Sequence, residues 1–132
     1  MVLGLLQFEL LIPGAESLKD KRRVVQSVKD RLHREHQVAV AEVGAIDSHT
    51  TAILALAVLG REGRRIGEVL DQISSKLRAL PDARLGDTRR DLLNAGALDA
   101  LRDEAASPAN DEALREEMLA RASEAARAER TA

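Results

Sequence analysis

Between Val2 and Ile12 the chain is apolar at nearly every position, with Gln7 and Glu9 as the polar side chains. Read as a strand, it sets Val2, Leu6, Phe8, Leu10 and Ile12 on one face. Leu3, Leu5 and Leu11 fall on the other, beside Gln7 and Glu9. A strand that is apolar on both faces belongs in the middle of a sheet. Pro13-Gly14 ends it, and the period then changes. Leu18, Val25, Val28 and Leu32 recur at helical spacing, while Lys19, Arg22, Arg23, Gln26, Asp30 and His33 take the opposite side. This predicts an amphipathic helix from a Ser17 cap to about His36. Lys21 has a helical angle close to Val28 and Leu32, which points it partly inward.

Gln37 to Val43 reads as a second strand, with Val38 and Val40 on one face and Ala39, Ala41 and Val43 on the other. Gly44 to His49 reads as a loop. Thr51 to Leu59 is again apolar on both faces, and Gly60-Arg61-Glu62-Gly63 breaks it. Ile66, Val69, Leu70, Ile73 and Leu77 predict a second helix from about Arg64 to Leu80, stopped by Pro81-Asp82. Arg84 to Leu93, a more polar run, completes the series as a fourth strand.

The order strand, helix, strand, strand, helix, strand is that of a split βαβ, ferredoxin-like α+β fold. It implies a four-stranded antiparallel sheet with two helices on one face. Its central strands are the first and third, the two segments that are apolar on both faces. Residues 95–132 differ in kind, being dominated by Ala, Glu and Arg. One helix is expected there, starting at Ser107-Pro108 and carrying Leu114, Met118 and Ala122 on one stripe. The alternative is a largely disordered tail, which its acidic, Ala-rich composition permits. The expected division is a domain over 1–94 and an acidic tail over 95–132.

Composition narrows the function. The 132 residues include Phe8 as the sole aromatic and no cysteine. That excludes disulfides, thiolate metal sites and a cysteine nucleophile. It also argues against recognition of single strands by stacking on aromatic faces. No segment has the apolar length to span a membrane and no signal peptide precedes the first strand, so a cytoplasmic protein is expected. Residues 1–94 carry 15 Lys and Arg against 13 Asp and Glu, whereas residues 95–132 carry 5 against 9.

The strongest functional signal is Ser17-Leu18-Lys19-Asp20-Lys21-Arg22-Arg23, with four cations in five residues at a helix start. The free N–H groups there carry partial positive charge and disfavour cations. Lys19, Lys21, Arg22, Arg23 and Lys29, continued by Arg31 and Arg34, form the candidate anion-binding set for RNA phosphates. The competing reading is a solvated face on which Asp20, Asp30 and Glu35 serve as ion-pair partners.

The same residues carry a resemblance. Phe8-Glu9-Leu10, Ile12-Pro13-Gly14-Ala15, the Ser17–Arg23 run, Val28-Lys29, Arg31-Leu32 and Val38 to Gly44 resemble the bacterial YlxP-like family, also described as domain of unknown function 503. The resemblance covers residues 1–93 and implies a ferredoxin-like fold. It implies no enzyme activity and no cofactor. Family genes often neighbour those of ribosome-maturation and translation factors, which implies an RNA or ribosomal partner. Family members tend to carry an aromatic where His49 stands here, and the role of that loop position is left open.

Other candidates are weaker in chemistry. His33, His36 and His49 lack a motif that fixes a metal site, so surface or capping roles are expected. Glu42, Asp47 and His49 would make an acid–base group without a nucleophile, and Glu42 reads more simply as an edge-strand solubilising residue. Gly60, Gly63 and Gly67 match no phosphate-binding loop. The sheet face away from the helices is the second functional candidate, with Leu3, Leu5, Leu11, Leu54 and Leu56 assigned to it. A homodimer stacked sheet to sheet, or the C-terminal helix folded back through Leu114, Met118 and Leu119, would cover such a face. Two functions therefore stand: a non-enzymatic RNA- or ribosome-associated module acting through its first helix, or a structural, oligomerising module acting through its open sheet.

Overall fold

Ten consecutive residues, Val2–Leu11, form β1, which pairs along its full length with β3 (Thr51–Gly60) in antiparallel register. The computed structural model describes residues 1–105 and 108–131. The remaining elements of the first unit are α1 (Leu18–Glu35), β2 (Ala39–Gly44), α2 (Gly63–Arg78) and β4 (Arg84–Asn94). The sheet order is β2-β3-β1-β4 and every pairing is antiparallel. This is the ferredoxin-like arrangement, with the doubly apolar strands in the centre and the two more polar ones at the edges.

The core is one cluster between the sheet and both helices. Leu6, Phe8 and Leu10 of β1 and Ala52, Leu54, Leu56 and Val58 of β3 meet Val25, Val28 and Leu32 of α1 and Ile66, Leu70, Ile73 and Leu77 of α2. Gly4 of β1 permits the close approach of α2. A Cβ there would run into Ile66 and meet Val58 at 3.1 Å and Leu70 at 3.2 Å.

The register corrects one expectation. Leu54 lies opposite Phe8 and Leu56 opposite Leu6, so both point at the helices, 0% and 1% exposed. They are core residues and cannot line an open face. Directly opposed residues share a face in an antiparallel pair, and β1 presents Phe8 and Leu6 inward. The residues of β3 on the other side are Thr51, Ile53, Ala55, Ala57 and Leu59, beside Leu3, Leu5 and Leu11 of β1.

The end of α1 is tied to α2 by one lysine. The Lys76 ammonium lies 2.6 Å from Glu35 Oε2 and donates to His36 Nε2 at 2.9 Å. The imidazole therefore accepts as a neutral ring protonated on Nδ1. The hydrogen bond from Lys76 holds the Glu35 carboxyl below its ordinary range, and burial, aided by the Lys76 charge, holds His36 below its own. Both shifts act in one direction. As pH falls below about 6.5 the unfolded chain takes up a proton at His36 before the folded one does, and stability declines. At more acidic pH the Glu35 contribution is lost as its carboxyl protonates. The melting temperature is thus expected to fall steadily from pH 7.5 to pH 4. His36→Gln should remove the fall near neutrality and leave the acidic part, which thermal melts across that range would check.

The second unit, Ala95–Ala132, is helical where described. It contains α3 (Ala95–Ala105) and α4 (Pro108–Thr131), two helices where the apolar stripe predicts one. Pro108 heads α4, a position whose N–H has no partner within a helix. Ser107, expected to open that helix, lies outside the described residues. Leu114, Met118 and Leu119 are exposed. Among the described residues no helix is long and apolar enough to cross a membrane.

Candidate functional site

The first turn of α1 uses its acid internally. Ser17 Oγ accepts from the Asp20 N–H at 3.2 Å, and Asp20 Oδ2 accepts from the Glu16 N–H at 3.0 Å. The first bond satisfies a helix-end donor that would otherwise lack a partner, and the second ties the residue before the cap to the helix. The capped start also fixes where the cations that follow must project.

Lys21 turns into the domain and is 1% exposed. Its Nζ donates to the carbonyls of Ala45 at 2.9 Å, Ile46 at 3.3 Å and Thr51 at 3.3 Å. An ammonium has three donors, and these contacts use all of them. Glu42 Oε1 lies 3.0 Å away as counter-charge, and this buried oxygen has no hydrogen-bond partner of its own. The contact is an ion pair without a directed hydrogen bond. Ala45 adopts φ of 55°, the left-handed region that a residue with a Cβ rarely takes. Lys21 is therefore a clasp on the β2–β3 loop, closed to phosphate. Its inward angle is legible in the sequence, but its partners lie 24 to 30 residues away. Glu42 is its counter-ion, held by charge rather than serving to solubilise an edge.

The other members of the set face outward. Lys19, Arg22, Arg23 and Arg34 are exposed and Lys29 is half-buried, and none has an ion-pair partner within 4.0 Å. The acids that were expected to neutralise them are engaged elsewhere. Asp20 caps the helix, Asp30 accepts from Gln26 Nε2 at 2.8 Å, and Glu35 is shared by Lys76 and Arg31. Arg31 alone of the run finds an acid on its own helix, at 3.3 Å. Lys19 to Arg34 spans about 22 Å at the helical rise, so the face is a strip on which five cations without an ion-pair partner surround Gln26, Asp30 and His33.

Beside the start of this strip lies a groove of about 520 Å³. Ile12, Pro13, Gly14 and Ala15 form one wall, Asp20, Arg23 and Val24 of α1 another, and Pro81, Asp82, Ala83 and Arg84 the third. Nothing in the sequence pattern brings the α2–β4 turn to the β1–α1 turn, so the groove and its Arg84 are visible only in the fold.

The remaining candidates do not gather. His36 is occupied by Lys76, while His33 and His49 are exposed on separate elements. Among the described residues no three of His, Asp and Glu form a metal-binding group. Asp47 and His49 are exposed in the β2–β3 loop, and Glu42 is committed to Lys21. Leu3, Leu5 and Leu11 are half-buried on the sheet face opposite the helices.

A ferredoxin-like domain with one cationic helix face defines the class of this molecule. The chain belongs to the family described as protein of unknown function (DUF503), whose model matches residues 3–90. No curated protein matches it.

Proposed function

We propose that this protein is a non-enzymatic cytoplasmic module that binds RNA, in a ribosomal particle or a precursor of one, through the outer face of α1. Lys19, Arg22, Arg23 and Lys29 contact phosphates, Arg34 extends the strip, and Lys21 shapes the loop beneath it. The observation that carries this reading is the disposition of the acids on α1. Asp20 serves the helix start, Asp30 accepts from Gln26 and Glu35 pairs with Lys76 and Arg31, so none of them forms an ion pair with Lys19, Arg22, Arg23, Lys29 or Arg34. A merely solvated face would pair its charges along the helix, as Arg64 and Arg65 of α2 do with Glu68.

Phosphate neutralisation releases counterions, so affinity should fall steeply with salt. Arg22→Glu with Arg23→Glu is expected to lower affinity for RNA or ribosomal subunits by roughly two orders of magnitude at low salt, and to reduce the salt slope by about 2. Arg64→Glu with Arg65→Glu is the matched control and should change little. Co-sedimentation with ribosomal subunits across a salt series measures both. Undiminished binding by the α1 double variant would remove the proposal.

A further inference from the structure

We infer that the groove at the start of α1 receives one unpaired nucleotide of the RNA whose backbone follows the α1 strip. This inference rests on the RNA-binding reading above and adds a preference for RNA carrying a bulge, loop or end over plain duplex.

The reasoning begins with Arg23, which belongs to both features. It stands in the outward strip and also lines the groove. A backbone tracked along α1 is therefore led to the groove mouth. Arg84 at the opposite wall, like Arg23, has no ion-pair partner within 4.0 Å. Of the two acids in the lining, Asp20 accepts from the Glu16 N–H, and Asp82 is exposed beside Pro81. The lining is mixed: beside the charged groups, Pro13 and Pro81 offer rigid ring faces and Ala15, Val24 and Ala83 small or branched contacts. Two arginines, apolar contacts and a carboxylate at Asp82 suit a nucleotide, whose phosphate is an anion and whose base has flat faces and hydrogen-bond donors at its edge. The volume falls within the usual range for small-molecule sites, about 300–1,000 Å³. Specific recognition of RNA mostly uses unpaired nucleotides, because the groove edges of an A-form duplex are hard to reach. No aromatic ring lines this groove, so the base would rest on proline rings and aliphatic groups, and the preference should be modest.

Gly14 supplies a clean test. A Cβ there meets nothing within 4 Å, and the residue is outside the positive-φ region. Gly14 lines the groove, so Gly14→Phe brings a bulky ring to its wall without straining the backbone, and Gly14→Glu brings a carboxylate there. The probes are a fluorescently labelled RNA duplex and the same duplex with one bulged nucleotide, titrated with the full chain. The parent protein should bind the bulged form roughly fivefold tighter, the low end for a single-base contact. Both Gly14 variants should lose that preference while holding the plain duplex as the parent does, with unchanged melting temperatures. A parent that binds both probes equally, or Gly14 variants that keep the preference, would overturn this inference and leave the α1 strip standing. A parent that binds neither probe would overturn the RNA-binding reading itself.

Discussion

Lys21→Met is expected to destabilise the domain by about 3–5 kcal/mol, the cost of stripping one partner from a buried charged site. The side chains are similar in length, so the loss is chemical rather than a large cavity. The carbonyls of Ala45, Ile46 and Thr51 lose the ammonium, that of Ala45 keeping the Ser48 N–H, and Glu42 Oε1 is left without its counter-charge. An unsatisfied buried polar group costs about 1–3 kcal/mol each. The Glu42 side chain is 22% exposed, so solvent screens part of its attraction and the carbonyls dominate the loss. Against a total stability of about 5–15 kcal/mol this is severe. Arg22→Met, one residue along and exposed, should change stability by no more than about 0.5 kcal/mol. Urea denaturation of the two variants separates them. A Lys21→Met protein as stable as its parent would show that the clasp contributes nothing to folding.

Leu54→Asp should prevent folding altogether, whereas Ala55→Asp should leave a folded domain. Leu54 is fully buried opposite Phe8 in the core cluster. Its replacement removes about 2–5 kcal/mol of packing and adds a carboxylate with no partner. Ala55 faces the other way, opposite Gln7 on β1 and Ala41 on β2. A carboxylate there meets polar and small neighbours, and a cost of about 1 kcal/mol is expected. Far-UV circular dichroism and soluble yield distinguish the outcomes. The reverse pattern, a folded Leu54→Asp and an unfolded Ala55→Asp, would invert the facing of β3.

That pair also marks where sequence reasoning stops. In α1 the contrast between Val25, Val28 and Leu32 on one side and a row of charges on the other leaves one orientation, and the helix lies as the pattern dictates. In β3 both sides are apolar, so alternation carries no sign, and only the pairing of Leu54 with Phe8 decides which side faces the helices. The central place of β1 and β3 was legible because only a strand covered on both sides tolerates such a composition. The two-helix form of 95–132 was not, because Ala-rich sequence favours helix everywhere and leaves breaks to individual residues. The site divides in the same manner. Outward cations on α1 follow from helical angle alone. The fate of Asp20, Asp30 and Glu35 depends on whether each meets a cap, an amide or a distant lysine, and the groove needs two turns that are far apart in the chain.

The clasp bears on how this chain avoids folding into a near miss. Sliding β3 along β1 by two residues would preserve which side each residue faces, and with Leu, Ile, Val and Ala throughout the two strands it would forfeit little apolar burial. Thr51 begins β3, and its carbonyl and that of Thr50 are fixed by Lys21 and by the Ile12 N–H. A slipped hairpin would carry those carbonyls away and strand an ammonium in the interior. The charged residue at the base of the first helix thus works as a vernier stop: the apolar strands supply the force that brings the sheet together, and the lysine, with the Ile12 N–H, penalises the slipped alignment.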